Sequence, residues 1–233
     1  MKRFWKTAEL AETDGGWSIM LDGRPLKTPA RETLSVPHRA LAEAILAEWR
    51  DCREEIDPRA MPMTGLANAA IDHVAPDPAR FAADLARYAE GDLFCYRAEA
   101  PPSLAALQAA SWDPLLAWAR RRFDVDFVVT SGLLHVPQPA ATVERLSHAL
   151  TALDPFRLAA MAPLTTIGGS LVAALAVEQH ADEPAAAWHA VSVDERWQLE
   201  KWGADAEAEA AMDAHRRDFL AAARFLSLLD QER

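Results

Sequence analysis

The chain is short of cysteine, of basic charge and of long apolar runs, and each shortage removes a class of function. Its two cysteines, Cys52 and Cys95, stand apart in helix-like surroundings, so neither a thiol redox motif nor a structural zinc site is offered. Lys and Arg number 24 against 35 Asp and Glu, a formal net charge of -11. That is the wrong sign for nucleic acid, whose binding rests on displacing counterions from phosphates, and for an anionic membrane surface. No window approaches the ~20 apolar residues of a membrane span, the best being the short run Ile167 to Val177. The start, MKRFWKTAEL, has neither the apolar core of a secretory signal nor the Arg- and Ser-rich amphipathic pattern of a transit peptide, so a cytoplasmic setting is expected.

Catalytic signatures are equally scarce. No P-loop occurs, because the double glycine Gly168-Gly169 lies in an apolar helical run and is not followed by Lys-Ser or Lys-Thr. No Gly-x-Ser-x-Gly elbow is present. The seven histidines are scattered without metal-ligand helix spacing, and His180 near Asp182 and Glu183 is the nearest approach to a metal site. His73 follows Asp72 directly, and neighbours in a helix do not face each other. Asp92, Asp113 and Glu195 are the carboxylates that could meet to form a catalytic pocket. Neither metal nor cofactor is expected, and without an ATP site any work on a partner is driven by binding energy.

What the chain has in quantity is apolar surface. With 51% hydrophobic residues over 233 positions it can bury one large or two modest cores. Short runs at Phe4–Glu9, Trp17–Leu21 and Thr33–Val36, separated by the turn clusters Asp14-Gly15-Gly16 and Asp22-Gly23-Arg24-Pro25, predict an antiparallel meander. A helix follows over His38–Cys52, with Leu41, Ile45, Leu46 and Trp49 on one face. Leu66, Ala69, Ala70 and His73 suggest a short helix ended by Pro76 and Pro78, and this proline-rich bend is the expected domain boundary. Beyond it the pattern is helical, apart from a β-like interruption at Phe127–Val129 and Leu133–Val136. Thr165–Gln179 reads as one buried helix, and Ala204–Leu229 as a last helix burying Phe219, Ala222, Leu226 and Leu229. The expected fold is α+β: residues 1–78 forming a small antiparallel sheet with a packed helix, and residues 79–233 a larger, mainly α-helical domain.

One stretch, Ala187 to Gly203, says most. On a single helix Trp188, Val191, Glu195, Leu199 and Trp202 fall within an arc of roughly 80°, placing a carboxylate in the middle of an apolar stripe. Val193 and Trp197 point the other way. An acid so placed costs several kcal/mol if buried unpaired. It therefore has a partner inside the chain, or selects another protein that completes the face, or acts chemically at raised pKa. Eight tryptophans, at 5, 17, 49, 112, 118, 188, 197 and 202, add weight to a binding surface, although core packing also consumes them.

Several strings together are distinctive: Leu21-Asp22-Gly23-Arg24-Pro25-Leu26-Lys27-Thr28-Pro29, Ala47-Glu48-Trp49, Ile56-Asp57-Pro58, Met61-Pro62-Met63-Thr64, Leu66 to Asp72, Cys95-Tyr96-Arg97-Ala98, Trp112-Asp113-Pro114-Leu115-Leu116, and Trp197-Gln198 with Lys201-Trp202-Gly203. In order and spacing, from about Arg3 to Glu207, they resemble the ATP-twelve family of ATP synthase assembly chaperones of mitochondria and α-proteobacteria. The resemblance implies a non-enzymatic chaperone. It would bind the unassembled α subunit of the synthase's catalytic head, shield the surface later presented to the β subunit, and release it into the hexamer. It also implies a small N-terminal α+β domain followed by a helical one, and a bacterial source; separately, a monomer is expected when the protein is free. Two positions carry over: the acid ahead of the Trp-Gln pair, Glu195, and the tryptophan after Ala-Glu in the first long helix, Trp49. The expected partner-binding residues are then Glu195, Trp202, Leu199, Trp188 and Trp49, with a helix–sheet core contact as the competing role for Trp49. A small-molecule-binding protein or hydrolase with a carboxylate pocket around Glu195 is the alternative.

Overall fold

A computed structural model of the chain describes residues 2–132, 134–203 and 205–231. The chain divides into two compact units. One is built from residues up to 78 with 154–160 and the chain from 224 onward, the other from 79–153 and 161–223.

The first unit starts with four strands: β1 (Ala8–Thr13), β2 (Gly16–Leu21), β3 (Arg24–Pro25) and β4 (Ser35–Val36). β2 is central, pairing antiparallel with β1 along one edge and with β3 and β4 at opposite ends of the other. Its register is set by its turns. Thr13 faces Gly16 across Asp14-Gly15, and Leu21 faces Arg24 across Asp22-Gly23, whose φ values of 48 and 77° are those of a two-residue turn that matches strand twist. That register corrects the first predicted strand: it lies at Ala8–Thr13, not Phe4–Glu9, and Phe4 is 65% exposed. Alternation puts Trp17, Ile19 and Leu21 on one face of β2, the latter two buried. Helix α1 (Arg39–Asp51) packs on β1 and β2 through Leu41, Ala42, Ile45, Leu46 and Trp49, the face its periodicity predicts.

Helix α2 (Pro62–Ala69) runs into a wider, π-helical turn at Ala70–Val74. Its buried face is Met63, Thr64, Ala67, Ala70 and Val74, one step round from the predicted one. The difference comes from its N-terminus, which the Glu48 carboxylate of α1 caps by accepting from Met63 N (2.7 Å), Thr64 N (2.8 Å) and Thr64 Oγ1 (2.7 Å). Burial pushes the Glu48 carboxyl up, against the pull of these donors and of Arg224. Asp72 is also spent structurally, its two oxygens holding Thr28 Oγ1 (2.6 Å) and Ala30 N (2.9 Å), while His73 is exposed.

The second unit is helical: α3 (Pro78–Ala86), α4 (Pro102–Phe123, with Pro114 inside it), α5 (Ala140–Thr151), the end of α6 (Pro155–Gly168), α7 (Leu171–Glu178), α8 (Pro184–Val191), α9 (Val193–Trp202) and the first part of α10 (Ala206–Asp230). Every residue of α7 is buried, so it forms the axis, with α4 and α8 packed against it. Trp112 of α4, fully buried, stacks on Phe94 (centroids 5.4 Å) and donates its indole N–H to Ala190 O (2.7 Å). The predicted single helix Thr165–Gln179 is two. The chain breaks at Gly169-Ser170, where Ser170 Oγ accepts from Ala173 N, and the fully buried Asp92 accepts from Val172 N and Phe94 N, both at 3.0 Å. The β-like interruption also has a different partner. β6 (Thr130–Ser131) pairs in parallel with β5 (Tyr96–Arg97), far upstream. Of the residues predicted to join it, Leu133 lies outside those described, as does Ala204 at the start of the predicted last helix.

Candidate functional site

The Ala187–Gly203 stretch is not one helix. α8 ends at Val191 and α9 begins at Val193, the chain passing through Ser192 at φ -100°, ψ 19°. The cause is local: Ser192 sends both its N–H (3.1 Å) and its hydroxyl (2.7 Å) to Trp188 O, a competing bond that deforms a helix. Arg196 spans the joint, giving Nε to Ser192 Oγ (3.3 Å) and Nη2 to His189 O (2.7 Å).

The joint leaves the apolar stripe intact. Trp188, Val191, Glu195, Leu199 and Trp202 all line one groove of about 410 Å³. Trp188 (9% exposed) and Val191 (5%) form its floor, and Trp188 rests on Phe219 of α10 (ring centroids 5.6 Å). Leu199 is half-buried, while Trp202 is 75% exposed, its ring edge-on to Trp197 (5.8 Å). Glu195, in the first turn of α9, is exposed at the groove, and no hydrogen bond or ion pair fixes its carboxylate among the described residues. Its electrostatic neighbour is Arg196, whose guanidinium burial pulls down and Glu195 pushes up. Among the described residues Glu195 is therefore neither sealed inside nor bridged to an arginine of its own chain.

The opposite wall comes from α10 and includes Ala208, Ala211, Met212 and His215. Their spacing, i, i+3, i+4 and i+7, is an amphipathic stripe that sequence reasoning passed over. It runs directly into Phe219 and Ala222, which are fully buried, whereas Ala208, Ala211 and His215 are exposed and Met212 half-buried. The stripe is thus covered along one part of the helix and open along the part facing α9. Asp205, which also lines the groove, accepts from Glu207 N (3.3 Å) at the start of α10.

The remaining candidates disperse. Trp49 does not line the groove. It is 7% exposed, packed on Trp5 (4.8 Å), and its indole donates to Thr64 Oγ1 (3.2 Å), so direct contact with a partner gives way to a core role in the first unit. Asp92, Asp113 and Glu195 do not meet. Asp92 caps α7, Asp113 is paired with Arg97 (2.5 Å), and Glu195 is in the groove. Cys95 is buried and its thiol is pushed up to about 12 by burial and then by Asp92, which leaves it inert. Among the described residues no group of three or more His, Cys, Asp and Glu can hold a metal ion, and no helix is long and apolar enough to cross a membrane.

A family model described as ATP12 chaperone protein matches residues 2–120. The groove lies beyond that match, within likenesses that span the chain. Protein atp12, mitochondrial, of Schizosaccharomyces pombe is 24% identical over 238 residues, 97% of this chain and 82% of the relative. The crystal structure of Atp12 from Paracoccus denitrificans is 40% identical over 97% of each chain, with a TM-score of 0.92. A crystal structure from Agrobacterium tumefaciens is 36% identical over 98% of this chain and 86% of the other, with a TM-score of 0.93.

Proposed function

Because the chain belongs to the ATP12 chaperone family, we propose that it binds the unassembled α subunit of the ATP synthase catalytic head and shields its β-facing interface until assembly of the hexamer, without hydrolysing ATP. One observation carries the assignment of the binding site: an exposed carboxylate with no hydrogen-bond or ion-pair partner among the described residues, Glu195, stands in a groove walled by the partly open apolar side chains Leu199 and Trp202 of α9 and Ala208, Ala211 and Met212 of α10. A subunit waiting for its neighbour exposes apolar interface of the kind that needs such a cover. Leu199 and Trp202 supply area over the floor made by Trp188, Glu195 pairs with a basic side chain of the client, and the β subunit releases the client by competing for the same surface. Trp49 supports this at a distance, by holding the first unit together. The reading includes a bacterial cytoplasm, supported by the bacterial sources of the two solved relatives, and a free monomer, which sedimentation tests.

The carboxylate-pocket alternative has one observation in its favour, since Glu195, Asp205 and His215 share the groove. No hydrogen bond among the described residues joins any two of them, and all three are exposed, so the dry pocket and oriented base of an acid–base catalyst are not assembled. The deciding experiment mixes the protein with isolated α subunit and with assembled head. Aggregation is suppressed, and a complex forms, only with the former. Glu195→Lys abolishes that protection while shifting stability by less than about 1 kcal/mol, as expected for an exposed side chain. Equal binding to the assembled head, or an unfolded Glu195→Lys variant, overturns the assignment.

A further inference from the structure

Of the ten residues of α9, Val193 is the single buried one. A helix that buries so little is held by a few specific attachments. One of them reaches far along the chain. Gln108, on α4 and 2% exposed, accepts from Ala98 N through Oε1 (2.8 Å) and donates from Nε2 to Asp194 Oδ1 (2.7 Å). The orientation of its amide is fixed, because a backbone N–H only donates and a carboxylate only accepts. Both ends of the side chain are therefore committed, one to the segment after β5 and the other to the first turn of α9. Asp194 precedes Glu195, and its own side chain carries no other hydrogen bond or ion pair among the described residues.

We propose that Gln108 is a positioning residue for client recognition. Through Asp194 it sets where the first turn of α9 sits on α4, and so where the Glu195 carboxylate stands over the floor made by Trp188. This rests on the groove being the client site. A buried amide bonded to a carboxylate is among the stronger attachments a short helix can have, and removing either partner strands the other. Loss of the bond lets α9 shift or rotate, and a carboxylate displaced by an ångström or two no longer meets a client's basic group at hydrogen-bond distance.

The test exchanges donor and acceptor. Gln108→Glu still accepts from Ala98 N but sets a carboxylate against Asp194. Asp194→Asn alone keeps an acceptor for Gln108 Nε2. The double variant, Gln108→Glu with Asp194→Asn, restores the bond with its polarity reversed. Affinity for isolated ATP synthase α subunit should fall ~10-fold in Gln108→Glu, stay close to wild type in Asp194→Asn, and return in the double variant. If Gln108→Glu does not fold, Asp194→Ala, altered at the more exposed end, is compared with Asp194→Asn; the two have equal charge and differ in the acceptor, and only Asp194→Ala should bind weakly. Unchanged binding in Gln108→Glu or in Asp194→Ala, or a double variant as weak as the single, overturns the proposal. Failure of the groove assignment reads differently: Glu195→Lys then binds the α subunit as wild type does.

Discussion

Replacing Asp92 by Asn isolates the cost of a charge in the core of the helical unit. Two effects compete there. Burial disfavours the carboxylate, while the N–H groups of Val172, Phe94 and Leu171 and the Ser170 hydroxyl favour it, and burial wins: the carboxyl is pushed up from 3.8 to about 6. The folded chain therefore keeps this proton at pH values where the unfolded chain has lost it. The group's contribution to stability is fully present below about pH 4 and is lost as pH rises through about 6. A difference of about 2 pKa units corresponds to about 3 kcal/mol. Asn does not titrate, so the stability of the wild type minus that of Asp92→Asn should fall by about 3 kcal/mol between roughly pH 4 and pH 7, whatever the variant's absolute stability. Equilibrium urea unfolding of both proteins across that range, followed by tryptophan fluorescence, measures it, since Trp112 stacks on Phe94 two residues from the site. A difference that stays flat would mean that the donors balance burial, and one that grows with pH that they outweigh it; either would refute the reasoning.

Other expectations follow from named contacts. Trp49→Ala removes a side chain packed on Trp5 and leaves Thr64 Oγ1 without its donor, and should cost about 3–5 kcal/mol in urea unfolding while the folded fraction still binds client. Trp202→Ala removes an indole that is 75% exposed; the unfolding free energy should change by less than about 0.5 kcal/mol in urea titration, while protection of the α subunit from aggregation weakens. Gly16→Ala places a Cβ 2.3 Å from Val36 O at a φ of +128°, so β4 must leave β2, and calorimetry should show a loss above roughly 2 kcal/mol.

Much of this architecture could be read from local pattern. The period of α1 named its buried face, because 3.6-residue spacing is a property of the helix itself and the sheet only had to accept it. The Asp-Gly turns fixed strand pairing for a similarly local reason. What could not be read depended on distant groups. The break between α6 and α7 needs Asp92, eighty residues upstream, to accept from Val172 N, and the partner of β6 lies at Tyr96–Arg97. The shift of the α2 face is set by Glu48 on another helix.

The site divides in the same way. Sequence alone put Trp188, Glu195, Leu199 and Trp202 on one face, since residues three, four and seven apart align whatever surrounds them. It could not say whether that face was covered, because spacing fixes direction and not environment. Only the tertiary structure decided that Glu195 is open to solvent and Trp49 is sealed, and that the uncovered start of α10 supplies the facing wall. Burial is a sum over every element that packs against a residue, and that sum exists only once the chain has folded.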